Sequence, residues 1–197
     1  MTGSPVLVVI AALAVVNPPR LAPALTSLRP LGVDSTSIRR QGSEAVVGVG
    51  VVISVAVLAL LAVSATWVLD IVDVSAPTLR VGTGLVVVLA GIRHALGRPP
   101  TAEPALGGWG ASLVPVAVPF TCRPDLALVV MSASTIEGLP TALAALAATG
   151  LAVVTVAAAR VPTGTAQERL IDLFAWAATI GAVAAGVALA VDGVYGV

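Results

Sequence analysis

Long runs of Val, Leu, Ala and Ile dominate the chain, and short polar stretches punctuate them. About 20 consecutive apolar residues cross the hydrocarbon core of a bilayer as a helix. By that rule the pattern predicts six spans. The first covers Pro5 to Leu28 and is interrupted at Asn17 to Arg20. A polar link, Arg29 to Ser43, carries Asp34, Arg39 and Arg40. The second span, Glu44 to Leu69, is an uninterrupted apolar run, followed by a short link with Asp70 and Asp73. The third runs from Ala76 to His94 and contains Gly82, Gly84 and Gly91. After a Pro- and Gly-rich link, Gly97 to Gly108, the fourth covers Trp109 to Ser134. It is interrupted by Pro115, Pro119 and the Arg123-Pro124-Asp125 cluster. The fifth is Pro140 to Ala159, and a polar link, Arg160 to Arg169, leads to the sixth, Leu170 to Val194.

Two spans therefore break where a lipid-facing helix gains nothing from breaking. Proline removes a backbone donor and clashes with the preceding turn. Non-helical backbone at membrane depth is tolerated only when buried in protein or lining a cavity. Spans one to three (residues 1–96) and four to six (109–197) each open with a broken helix and are joined by residues 97–108. Three spans per half predicts an inverted repeat within one transmembrane domain, with the first and fourth helices broken near the midplane. Matched interruptions in two halves point to a transporter site at the repeat interface. Two registers remain open, Arg20 on Arg123 or Pro18 on Pro124.

Composition strengthens the membrane reading. Hydrophobic residues make up 58% of the 197, charged residues 10%, against about a quarter in soluble domains. All ten basic residues are Arg. Arg29, Arg39, Arg40, Arg93, Arg98, Arg160 and Arg169 fall at the ends of spans one, three and five, and only Arg80 lies on the other side. The positive-inside rule then predicts a multi-pass cell-membrane protein with both termini extracytoplasmic. No basic n-region precedes the first apolar run, so no cleaved signal peptide is expected. Zero net charge suggests no nucleic-acid partner, and the single Cys122 allows no intrachain disulfide. Small residues along the spans permit close helix packing and leave a homo-oligomer open.

The candidate site is the two breaks: Asn17, Pro18, Pro19 and Arg20 in the first, and Thr121, Cys122, Arg123, Pro124 and Asp125 in the second. Asn17 both donates and accepts, which suits a zwitterion or an alcohol, and equally suits a cap for the half-helix after the break. A buried Arg needs an anionic partner or a wet cavity. Asp125 is the near partner for Arg123. Arg20 has three outlets: Asp125 across the halves, an interface, or an anionic ligand. Asp125 is the candidate for ion or proton coupling. Thr121 offers a weak polar contact, and Cys122 reads as a small packing residue. Ser132, Ser134 and Thr135 are expected to bond back to their own helix, and His94 and Asp192 to be interfacial. No residue set has metal-ligand spacing, and no phosphate loop, nucleophile elbow or catalytic dyad supports an enzyme or a cofactor.

Four segments resemble the MarC family of six-span membrane proteins. They are Asn17-Pro18-Pro19-Arg20 with Pro23; Val74-Ser75-Ala76-Pro77-Thr78-Leu79-Arg80-Val81-Gly82-Thr83-Gly84; Val114-Pro115-Val116-Ala117-Val118-Pro119; and Val191-Asp192-Gly193-Val194. The resemblance implies two inverted three-helix repeats and, for some relatives, secondary transport of small neutral amino acids. Two departures stand out. Arg20 replaces a family glycine, and Arg123-Pro124-Asp125 replaces Gly-Pro-Gly. The expected function is alternating-access transport of a small amino acid or related carboxylate. A carrier of an anionic or phosphate-headed lipid and a non-transporting membrane scaffold are the alternatives.

Overall fold

The structure is a computed structural model that describes residues 4–21, 38–97, 117–118, 121–158 and 165–196, with 38–46 and 165–168 described as backbone only. Seven helices stand among the described residues: α1 (Pro5–Val16), α2 (Ile38–Val63), α3 (Ala65–Val72), α4 (Ala76–Leu96), α5 (Pro124–Ile136), α6 (Leu139–Ala158) and α7 (Thr165–Tyr195). A further helical turn follows α1 at 18–21. The protein is all-helical, as expected. Three helices are long and apolar enough to cross a membrane: α4, α6 and residues Arg169–Tyr195 of α7. The pair α2–α3 makes a fourth if counted as one span, and Pro5–Leu21 and α5 are shorter apolar helices. Much of the expected link Gly97 to Gly108, the segment 22–28 and the entry 109–116 lie outside the described residues.

Local chemistry sets the element ends. Pro5 opens α1, where its missing N–H costs nothing. Ser75 caps α4 by accepting from the Thr78 N–H, with Pro in the first turn. Asp73 ends α3 in the left-handed region at φ 54°, a conformation that Asp and Asn tolerate best after Gly. Gly138, at φ +95°, makes the corner between α5 and α6, where a side chain would be strained.

The second span departs from its expected form in two ways. Its helix begins at Ile38, inside the expected polar link. It then bends by 56° between Val47–Val63 and Ala65–Val72. Apolar composition hides this bend because it is made by a serine. The Ser64 hydroxyl donates to Leu60 O and Leu61 O, and such back-bonding bends helices. Ser134 on α5 donates to Ala62 O, two residues before Ser64, rather than to its own helix as expected. Thr135 does bond back, to Met131 O and Ser132 O.

α4 and α7 form the closest pair in the molecule. They run antiparallel: Pro77 and Val81 lie against Gly193, Gly84 against Gly186 and Ala190, and Gly91 against Thr179 and Ala182. A Cβ at Gly84 would stand 2.5 Å from Ala190 N and Gly186 O, both backbone atoms. Small residues thus let two backbones touch, the packing mode that suits helices in lipid. α1 packs on α5, α6 and α7, and α2 packs on α5 and α6. Val15, Leu58, Leu126, Val130, Leu146 and Val87 join one core. Large apolar side chains such as Leu60, Trp67, Leu89, Leu151, Phe174 and Ile180 face outward. In water that surface would drive aggregation; against acyl chains it is the expected outer face.

The seam gives a paired prediction. Gly84→Ala drives a Cβ into backbone and should destabilise the protein by about 1–3 kcal/mol. Gly82→Ala meets nothing within 4 Å and should be neutral or stabilise by up to ~1 kcal/mol. Denaturation of the two variants in detergent reads the difference; equal stability would refute the close α4–α7 contact.

Candidate functional site

The first break is made by Asn17 itself. Its backbone takes φ 48°, ψ 65°, and its N–H donates to Leu13 O, so it ends α1 as a left-handed cap. The chain re-enters helix at once, with the Arg20 N–H donating to Asn17 O. Pro18 is buried, Pro19 and Arg20 are half-buried, and Leu21 rejoins the core. The Asn17 side chain does not cap the following turn, as one sequence reading had it. It is fully buried, and its Nδ2 donates to Ala175 O and Thr179 Oγ1 on α7. The amide orientation follows from the partners. The Thr179 hydroxyl spends its proton on Ala175 O, so both groups facing Nδ2 are acceptors. Among the described residues, Asn17 Oδ1 is left buried with no hydrogen-bond partner.

The second break begins with a π-type turn, the Cys122 N–H donating to Ala117 O. Arg123 is the extended N-cap residue of α5, Pro124 its first residue, and Asp125 lies in the first turn. That position suits a carboxylate by the helix dipole. Asp125 Oδ1 accepts from its neighbour's Leu126 N–H. Arg123 holds Asp125 through two bonds, Nε to Oδ1 at 3.0 Å and Nη2 to Oδ2 at 2.5 Å. Both side chains are 10% exposed. The local pairing that the sequence offered for Arg123 is therefore the one formed, and Asp125 does not meet Arg20. Thr121 is buried, shares a hydroxyl hydrogen bond with Ser54 of α2 and donates to Ala117 O. Cys122 packs half-buried against the core.

Both breaks turn their charged groups toward the C-terminal end of α4. Arg123 Nη1 lies 3.1 Å from His94 Nε2, and Arg20 Nη1 donates to Gly97 O. Arginine only donates, so His94 Nε2 accepts and its proton sits on Nδ1. That Nδ1 is buried without a partner among the described residues. Arg20, Arg123, Asp125 and Arg93 all lie within Coulombic reach of His94. His94 is thus part of the cluster rather than an interfacial bystander. Asn17 bonds Thr179, which packs on Gly91. Gly91 is five residues past Val86, the middle of α4, so the first break is offset by about 8 Å toward one face. Arginine side chains reach outward from there, as their length allows.

A second polar cluster went unrecognised in the sequence. Arg80 is 4% exposed and pairs through Nη2 with Glu137 Oε1 at 3.2 Å and with Asp192 Oδ2 at 2.7 Å. Asp192, expected to be interfacial, is therefore also an ion-pair partner. Glu137 drew no attention at all. The available signal was a lone acid at the end of an apolar run, just before Gly138-Leu139-Pro140. A cavity of about 290 Å³ adjoins the cluster, with Ala76, Pro77, Arg80, Thr135, Asp192 and Tyr195 among its walls.

The fold and these clusters define a class: an all-helical, membrane-embedded protein with ionisable residues buried at both ends of its central helix pair. No family model, curated protein or solved structure matches the chain.

The Arg123–Asp125 pair yields a test. Arg123→Ala strands a buried carboxylate and should cost about 3–5 kcal/mol, whereas replacing both residues with apolar ones of similar volume should cost far less. Unfolding of the single and double variants in detergent reads this directly. A double variant as unstable as the single would mean that the pair is not the relevant interaction.

Proposed function

We propose that the protein is a secondary transporter of a small amino acid or a related carboxylate, and that the substrate binds beside the two breaks. The observation that carries this reading is the fully buried Asn17, whose Oδ1 has no partner among the described residues. A buried unsatisfied acceptor costs about 1–3 kcal/mol, which an ammonium or hydroxyl donor would recover on binding. The charges nearby favour the other end of a zwitterion. Arg20 and Arg123 against Asp125 sum to one positive charge, and Arg20 spends one bond on a backbone carbonyl. The His94 Nδ1–H is a further unused donor. A carboxylate suits Arg20 and His94, and an amine suits Asn17.

The two-repeat plan supports alternating access as the mode of action. α4 and α7, the third helices of the two halves, run antiparallel, as an inverted repeat of three spans requires. The four segments that resemble the MarC family point the same way. On this plan the two breaks face the α4–α7 pair, and Asp125 is the carboxylate available for coupling to an ion or a proton. A non-transporting scaffold is the second reading, and one observation favours it. Arg123 and Asp125 already satisfy each other without a ligand.

Thermal melting of the purified protein in detergent decides between them. The panel is glycine, alanine, serine, dicarboxylates, inorganic phosphate and a prenyl phosphate. A ligand at 100 times its Kd stabilises by about 2.7 kcal/mol. Amino acids should raise the melting point, and Asn17→Ala or Arg20→Ala should abolish the shift while the unliganded protein still melts cooperatively. A shift with prenyl phosphate alone would move the reading to a lipid carrier. No shift with any compound would favour the scaffold.

A further inference from the structure

We infer that the Glu137–Arg80 contact is the latch of a gate at the end of the molecule remote from the breaks; the inference rests on the transport reading for its purpose but not for its test. Three observations carry it. The first is where the charges come from. Arg80 belongs to α4 and Asp192 to α7, whose backbones touch along the glycine seam from Pro77 and Gly193 to Gly91 and Thr179. These two charges move with one helix pair. Glu137 lies at the corner between α5 and α6, outside that pair. The triad therefore ties the helix pair to the α5–α6 corner through one of its two ion pairs, at the end of a face where α4 also packs on α5.

The second observation is the geometry of the joint. The pair within the α4–α7 unit is short, 2.7 Å, and the pair across to Glu137 is longer, 3.2 Å, though it is the Glu137 contact that has hydrogen-bond geometry. Both carboxylates take the same nitrogen, Nη2, while Arg80 Nε is buried with no partner. A guanidinium that meets carboxylates through one corner forgoes the bidentate geometry that makes such pairs strong. Two carboxylates share one cation, so Asp192 competes with Glu137 for it. The arrangement holds Glu137 in place and is far from the tightest that these groups allow.

The third is the space beside it. The cavity of about 290 Å³ lies between the start of α4, the end of α5 and the end of α7. Thr135, one turn before the corner, lines it. The cavity is already partly open to the outside, and a swing of Glu137 away from Arg80 would widen it between the helix pair and α5. Gly138, at φ +95°, follows Glu137 directly and is the corner about which the end of α5 turns. The breaks dock on the same helix pair at its other end, through Asn17 on α7 and Arg123 on α4. One pair of helices thus carries a polar contact with the remaining bundle at each end, besides its packing along α1 and α5 and the Thr83 Oγ1 bond to Leu128 O between them, and alternating access needs the two ends to open in turn.

Thiol labelling of Thr135→Cys in detergent tests the latch without substrate, so its outcome is independent of the ligand panel. Labelling at position 135 is counted by peptide mass, which separates it from Cys122. Glu137→Gln should accelerate labelling roughly tenfold or more, the factor that about 1.4 kcal/mol of released coupling gives. Glu137→Asp, which keeps the charge on a shorter arm, should fall between. Asp192→Asn should leave the rate unchanged or slow it, because it frees Arg80 for Glu137. Unchanged labelling in Glu137→Gln overturns the latch. So does an acceleration in Asp192→Asn as large as that in Glu137→Gln, for the triad would then act as one structural block. Should Glu137→Gln fail to melt cooperatively, the Glu137→Asp and Asp192→Asn rates decide by the same criteria.

Discussion

Gly84 and Gly91 of α4 meet Gly186 and Thr179 of α7 with no room for an added Cβ. Helices in lipid gain nothing from hiding apolar surface, because acyl chains are as apolar as Leu. What holds them together is close packing and polar contact. The α4–α7 seam supplies the first, and its two ends supply the second. At one end the backbone carbonyl of Ala175 and the Thr179 hydroxyl receive Asn17, and His94 receives Arg123. At the other, Arg80 joins Asp192 and Glu137. The remaining helices are positioned against this pair, directly or through α1 and α5.

Buried ionisable groups follow one rule throughout the structure. Each finds a partner, and those in irregular backbone find it locally. Arg123 and Asp125 are two residues apart and flank Pro124, so the turn that breaks the apolar run also brings the pair together. Arg80 sits within a regular helix and must reach across to two other elements. Among the described residues, three buried polar atoms are left without a partner: Asn17 Oδ1, Arg80 Nε and His94 Nδ1. Two of the three lie at the breaks and one at the opposite cluster. This distribution is what gives the site and the latch a physical basis beyond the apolar pattern.

How much was legible in the chain depends on the range of the interaction. The ends of α4, α6 and α7 fall within a few residues of the expected spans, because hydropathy and proline act locally. The bend at Ser64 was not legible, since a serine inside an apolar run carries no signal until its hydroxyl is seen to bond Leu60 O. The role of Asn17 was half legible. Its place beside two prolines marked a break, but its side chain serves α7, 158 positions away in sequence, rather than the next turn. Glu137 was invisible as a partner because nothing near it in sequence is basic.

The sequence by itself determined that this is an all-helical protein of apolar spans, with breaks at Asn17–Arg20 and Arg123–Asp125 and a local ion pair available at the second. Those properties depend on hydrophobic run length, on proline's missing donor and on neighbours two residues apart. The tertiary structure alone decided which helices touch, which helix each break packs on, and where Arg20, Arg80, Glu137 and Asp192 find partners. These are settled by helices packing across long sequence separations, where small residues allow contact with almost any neighbour and one assembled arrangement selects among them.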